Sequence, residues 1–141
     1  MAFPKVLVET GFLLALNPRD VYHSWALNIL ENARRKQFIL YISPVASIEL
    51  SLIMKSRGYF DQDIMQVLDA VDAVIKRYIT PRYPTLEIKH LSYAAKLRVK
   101  YPELTFFDSI HASIAICNDL VYIDLDKLLK DIISKELKGR I

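Results

Sequence analysis

The sequence of 141 residues is poor in cysteine and glycine. Its one cysteine, Cys117, cannot form a disulfide within the chain and suits a reducing compartment. With three glycines it contains no GxxxxGK[ST] or GxGxxG motif, so no nucleotide-cradling loop is expected. No apolar run reaches the ~18 residues that a membrane span needs. These absences favour a globular cytoplasmic protein that does not enter a membrane.

The sequence also lacks a strong excess of one charge and any cluster of histidines. Lysine and arginine number 19 against 16 aspartate and glutamate, a balance that permits nucleic-acid binding without arguing for it. The three histidines stand in separate segments and form no HxH or HExxH pattern. Ser43, Ser47 and Ser109 have no histidine beside them in the sequence, so a hydrolytic triad has little support.

Short apolar runs alternate with amphipathic segments along the chain. The runs at 5–8, 38–42 and 121–123 are predicted to be buried strands. Helical periodicity predicts helices over 22–35, 44–55, 60–78, 85–100, 106–118 and 126–137. Strands separated by helices indicate an α/β domain with a parallel sheet. The length suits one domain over residues 1–141, with a basic C-terminal tail over 135–141.

Acidic residues recur where the predicted strands end. Glu9 follows the first strand, Asp124 and Asp126 follow the third, and Glu49 lies in the helix after the second strand. Asp108 lies in the first turn of the helix before the third strand. Ligands gather at the carboxyl ends of parallel strands, and acids that converge there repel one another unless a cation or shared protons neutralise them. Oxygen ligands without clustered His or Cys select Mg²⁺ or Mn²⁺ over Zn²⁺.

Each of these acids also has a structural interpretation. Asp108 suits the first turn of a helix because of the helix dipole, and Asp126 suits the N-cap of the last helix. Glu49 could face solvent. His111 follows Asp108 by three residues and so lies on a nearby helical face. Contact with a substrate and a packing or hydrogen-bonding role are both open for this histidine.

Four segments, in order, resemble the PIN-domain family, specifically the small single-domain toxins of VapBC toxin–antitoxin pairs. The stretch VLVETGFLLAL resembles the opening strand of the family, which ends in Asp-Thr/Ser-Asn and continues into an apolar helix. ISPVASIELSLIMKSRG resembles the second motif, and LTFFDSIHASIAICNDLVYIDLDKLL resembles the third and fourth. Asp126 lies 18 residues after Asp108, as the last two acids of the family typically do. The resemblance implies a three-layer α/β/α fold with a short central parallel sheet.

The resemblance also implies an activity. A VapC-like protein would be an endoribonuclease that hydrolyses RNA phosphodiester bonds with Mg²⁺ or Mn²⁺, and the toxin partner of a small antitoxin protein. A divalent ion activates water as the nucleophile and stabilises charge on the phosphodiester, so no side-chain nucleophile is needed. The implied metal-binding and catalytic residues are Glu9, Glu49, Asp108 and Asp126. Asp124 would be an additional ligand, and Thr10 would support the site.

Three positions depart from the family pattern. Glu9 replaces the first Asp, Gly11 replaces the usual Asn or Ser, and Asp124 replaces Thr or Ser. Glutamate carries its carboxylate roughly 1 Å farther from the backbone, and a misplacement of ~1 Å can cost about 10²-fold in rate. The alternative to a ribonuclease is therefore a catalytically degenerate PIN-fold protein that acts as a binding or structural subunit.

The apolar content indicates a partner interface. Hydrophobic residues make up 52% of the sequence, slightly more than in an average soluble domain. Met54, Met65, Tyr59 and Phe60 would suit a homodimer face and a groove for an antitoxin helix. The same four residues could instead belong to the core.

Overall fold

The computed structural model describes residues 3–139, and within this range three strands form one parallel sheet. The strands are β1 (Lys5–Val8), β2 (Ile39–Ile42) and β3 (Val121–Tyr122), in the order β2-β1-β3. Leu7 in the middle strand pairs with Tyr41 on one side and Tyr122 on the other. The three strands predicted from the apolar runs are confirmed, with β2 starting one residue later and β3 ending one residue earlier.

Helices cover both faces of this sheet. They are α1 (Thr10–Ala15), α2 (His23–Arg34), α3 (Ala46–Ser56), α4 (Asp61–Lys76), α5 (Ile88–Lys100), α6 (Phe106–Cys117) and α7 (Lys127–Lys138). Successive side chains of a strand point to opposite faces of the sheet. Val6 and Val8 therefore pack into the core beneath α1 to α4, whereas Leu7 packs into the core beneath α5, α6 and α7. The predicted three-layer α/β/α fold is confirmed.

Two predicted helix starts are wrong, for reasons that involve distant parts of the chain. Pro44 does not open α3, because the Ser43 N–H still pairs with Val8 O (2.9 Å) and a turn intervenes before Ala46. The predicted helix at 85 begins only at Ile88. Glu87, directly before it, has an extended backbone, and Arg82 forms a bridge with Tyr41 at the edge of the sheet.

The first residues of the predicted basic C-terminal tail belong to a helix. Lys135 to Lys138 form the last turn of α7, where the Glu136 carboxylate accepts hydrogen bonds from Lys100 and Tyr101, both 2.7 Å. The last two residues of the predicted basic tail, 140 and 141, lie outside the described residues. No helix between residues 3 and 139 is long and apolar enough to cross a membrane.

The four apolar residues considered for an interface divide between core and surface. Met54 is buried in the core formed by α1 to α4, which is the second of the two alternatives considered for it. Tyr59, Phe60 and Met65 are exposed, with 78% of Phe60 accessible to solvent.

Candidate functional site

The first candidate acid, Glu9, stands between the end of β1 and the start of α1. Its backbone is no longer strand-like in φ and ψ, and the carboxylate folds back so that Oε1 accepts a hydrogen bond from the Gly11 N–H (3.1 Å). Oε2 lies 3.3 Å from Nε2 of His111. The residue is 7% exposed. The longer glutamate side chain is thus accommodated by bending back onto the first turn of the helix.

Glu49 from α3 and His111 from α6 meet Glu9 at this end of the sheet. Nε2 of His111 lies 2.9 Å from Oε1 of Glu49, and the Thr10 hydroxyl donates a hydrogen bond to the same oxygen. One donor atom from each of Glu9, Glu49 and His111 lies within 4.8 Å of the other two. We call this group the Glu9–Glu49–His111 cluster. The hydroxyl of Thr10, the predicted supporting residue, orients the Glu49 carboxylate by this hydrogen bond.

Asp124, the additional acid, is held by the backbone. Its Oδ2 accepts hydrogen bonds from the N–H groups of Glu9 (2.8 Å) and Phe12 (3.0 Å), and its Oδ1 accepts one from Leu125 (2.7 Å). The side chain is buried, with the residue 6% exposed. Asp124 therefore ties the segment after β3 to the turn that carries Glu9.

Asp108 and Asp126 lie outside the Glu9–Glu49–His111 cluster. Asp126 is the N-cap of α7 and accepts a hydrogen bond from the Leu129 N–H (3.0 Å), as its structural interpretation anticipated. Burial raises the pKa of the Tyr122 hydroxyl, and so do the charges of three acids, Asp126 among them. Asp108 is in the first turn of α6, one turn before His111, and within residues 3–139 its carboxylate makes no hydrogen bond or ion pair.

A comparison with known families decides how this arrangement is to be classified. The family model of the PIN domain matches residues 6–133. The chain belongs to the PIN domain family. A search of curated proteins by sequence gives no significant match.

One solved structure of a toxin supports the same fold. VapC20 of Mycobacterium tuberculosis, described as a sarcin-ricin loop cleaving toxin, superposes with a TM-score of 0.64. The match covers 90% of this chain and 94% of that chain at 16% sequence identity. At this identity the likeness establishes the α/β/α fold alone. The chemistry of the site depends on the residues of this PIN domain itself.

The electrostatics of the two glutamates in this PIN domain differ. Burial raises the pKa of Glu9 to about 7, and the nearby charge of Asp124 adds to this effect. Burial also acts against the ionised form of Glu49, but hydrogen bonds from His111 and Thr10 outweigh it and hold the pKa of Glu49 below its usual value. At neutral pH the site therefore combines an ionised Glu49 with a Glu9 that is only partly ionised.

His111 is the site residue that sequence reasoning did not assign. The only signal for it was its spacing of three residues from Asp108, which places both on adjacent parts of α6. Ser43 has no histidine near it in the sequence, but the fold brings one beside it, with Nδ1 of His111 2.6 Å from Ser43 Oγ. Ser43 is only 1% exposed, so it cannot reach a substrate and a hydrolytic triad remains unsupported. Ser43 instead fixes the orientation of the His111 ring.

The residues present fit a divalent cation. Two carboxylates and an imidazole nitrogen face one another in the cluster, and carboxylate oxygen suits Mg²⁺ or Mn²⁺ while imidazole is accepted by Mn²⁺ and later transition metals. Nε2 of His111 is the nitrogen that hydrogen-bonds Glu49, so with that bond in place the ligands would be the carboxylate oxygens of Glu9 and Glu49. The predicted Mg²⁺ or Mn²⁺ is therefore chemically compatible with this donor set.

Proposed function

We propose that this PIN-family protein is a divalent-metal-dependent endoribonuclease. The observation that carries the proposal is the meeting of Glu9 and Glu49 from different elements at the carboxyl end of the sheet. Two acids this close repel each other when both are ionised, and a divalent cation removes that repulsion. Such an ion, when bound, activates water for attack on a phosphodiester and stabilises the charge that develops on its oxygens.

The roles of the chain's own residues follow from their positions. Glu9 and Glu49 would hold the ion, and Thr10 and His111 orient the Glu49 carboxylate by hydrogen bonds. Asp108 lies one turn before His111 on α6, and we assign it contact with the ion or the attacking water. Asp126 would add negative charge from the N-cap of α7 in the same region.

A second candidate function is that of a PIN-fold binding subunit without catalysis. The observation that favours it is the use of Glu9 Oε1 to accept the Gly11 N–H, which leaves the other oxygen of Glu9 to face the cluster. A site with one acid partly committed to the backbone could bind a metal weakly and position it poorly.

An assay on single-stranded RNA separates the two functions. The purified protein is expected to cleave RNA with Mn²⁺ or Mg²⁺ and to be inactive in EDTA. Mn²⁺ should also raise the melting temperature, and this effect should disappear in the Asp108→Asn/Asp126→Asn variant. Asparagine at position 126 still caps α7, so loss of Mn²⁺ binding would reflect the lost charge rather than a lost cap. An inactive wild type together with an active Glu9→Asp variant would establish the degenerate function instead.

We also propose that the protein is the cytoplasmic toxin of a toxin–antitoxin pair. A groove of about 720 Å³ runs between α1, α2, α3 and α4, with the apolar side chains of Val67, Val71 and Val74 among its lining. Its charged lining residues are Arg57 and Arg77, and no acid from the described part of the chain lines it. Such a groove suits an amphipathic antitoxin helix with acidic residues along its border. A neighbouring gene for a small DNA-binding protein is the observation that this role requires.

A homodimer is proposed from the exposed apolar residues of α3 and α4. Ile48 and Leu52 on α3 are half exposed, as is Met65 on α4, and Phe60 stands next to the start of α4. Exposed apolar side chains on helices that pack side by side, as α3 and α4 do, suit a subunit contact. Sedimentation at micromolar concentration is expected to give a dimer, whereas a monomer at that concentration would rule out this contact.

A further inference from the structure

The backbone conformation at position 11 does not require glycine. Gly11 lies in α1, and among the described residues the glycine with a positive φ is Gly58. A side chain at position 11 is excluded by its surroundings instead. A Cβ atom there would stand far inside van der Waals contact of Asp124 Oδ1, and 3.4 Å from both Asp124 Cγ and Glu9 Oε1. The Asp124 carboxylate occupies the space that a side chain at position 11 would need.

The Asp124 carboxylate cannot move aside without losing hydrogen bonds. Three backbone N–H groups hold it, those of Glu9, Phe12 and Leu125, at 2.7 to 3.0 Å. Glu9 and Phe12 are themselves buried, so their N–H groups have no access to water as a replacement partner. A residue larger than glycine at position 11 would therefore force either the carboxylate or the first turn of α1 out of place.

We propose that Gly11 and Asp124 form an interlocked pair that positions Glu9 in the site. Gly11 has no side chain and so leaves room for the Asp124 carboxylate. That carboxylate fixes the backbone from which the Glu9 side chain extends. The three departures from the family pattern, at positions 9, 11 and 124, are then one coordinated change. Asp124 is a positioning residue and not a metal ligand. The interlock rests on geometry alone, and only its effect on metal affinity rests on the proposed function.

A double-mutant cycle in metal-free buffer tests the interlock. Gly11→Ser and Asp124→Ser are each expected to lower the melting temperature by roughly 5–10 °C. The Gly11→Ser/Asp124→Ser variant should be at least as stable as Gly11→Ser alone, because the second substitution removes the carboxylate that the new side chain meets. Additive losses in the double variant would overturn the proposal.

A control for the glycine substitution is available at the end of α7. A Cβ at Gly139 would meet its nearest neighbour, Glu136 O, at 3.6 Å, which is ordinary contact. Gly139→Ser is therefore expected to leave the melting temperature unchanged. A loss at position 139 as large as that at position 11 would mean that serine is unfavourable for a reason unrelated to Asp124.

Mn²⁺ affinity, measured from the concentration dependence of the melting temperature, tests the positioning role. Asp124→Asn keeps the shape of the side chain but loses the ability to accept from all three N–H groups, so a weakening of about 10- to 100-fold is expected, as for residues that orient metal ligands. The Gly11→Ser/Asp124→Ser variant lacks the same carboxylate and should weaken Mn²⁺ binding by a similar factor. Complete loss of Mn²⁺ binding in either variant would overturn the positioning role and make Asp124 a ligand. If wild type itself does not bind Mn²⁺, the proposed function fails, and the metal-free cycle still decides the interlock.

Discussion

Glu49→Gln is expected to reduce metal-dependent RNA cleavage by about 10³-fold while leaving the protein folded. A divalent ion contributes several kcal/mol to the transition state, and about 4 kcal/mol corresponds to this factor. Glu49 is the acid of the cluster whose pKa lies below its usual value, because hydrogen bonds from His111 and Thr10 overcome the effect of burial. Glutamine keeps the length of the side chain and an oxygen that can accept from Thr10, so the substitution removes mainly the charge. Initial rates on a labelled single-stranded RNA at saturating Mn²⁺ measure the effect.

The matched control is Glu103→Gln, which makes the same chemical change at an exposed glutamate of the loop before α6. Cleavage by this variant should equal that of the wild type. Equal rates for Glu49→Gln and wild type would remove Glu49 from the catalytic group. A loss of structure in the circular dichroism spectrum of Glu49→Gln would show that the charge supports the fold instead.

The second large effect expected is on stability, and it concerns the pH dependence of the metal-free protein. Glu9 has a pKa of about 7 in the folded protein against 4.5 for an ordinary glutamate, so the folded state binds more protons than the unfolded state between these values. The contribution of Glu9 to the free energy of unfolding is then complete below pH 4.5 and is lost as pH rises through 7. A shift of this size corresponds to about 3 kcal/mol.

Urea unfolding in EDTA, from pH 4.5 to 8, measures this effect as the difference between wild type and Glu9→Gln. The difference is needed because burial raises the pKa of Asp124 as well. Glutamine does not titrate, so the loss of stability with pH should be about 3 kcal/mol smaller in the variant. Parallel curves for the two proteins would mean that Glu9 ionises normally. With Mn²⁺ present the stabilisation should grow with pH, because the ion competes with the proton on Glu9.

The sheet and the candidate acids could be predicted from the sequence because both depend on local patterns. Buried parallel strands appear as short continuous apolar runs, and the topology of a parallel sheet brings their carboxyl ends to one edge. Glu9 and Glu49 were found in this way. The capping role of Asp126 was also visible, since an acid just before an amphipathic run is a standard N-cap.

The contacts that decide the chemistry could not be predicted, because they join residues far apart in the chain. His111 and Glu49 are separated by 62 positions, and their contact depends on how α3 and α6 pack at the end of the sheet. The start of α5 was misplaced for a similar reason. Arg82, in the segment before α5, forms a bridge with Tyr41, and no local propensity reports that pairing.

The hydrogen bond from the Glu9 N–H to Asp124 spans 115 positions, which has a bearing on how the site assembles. Contacts of such long sequence separation form late in folding, after the loop-closure entropy has been overcome by other interactions. A partly folded chain can hold Glu9 after β1 and Glu49 on α3 while the segment after β3 is still unattached. The geometry of the site is therefore complete only after the last strand has joined the sheet. A partly folded chain does not yet contain the whole site.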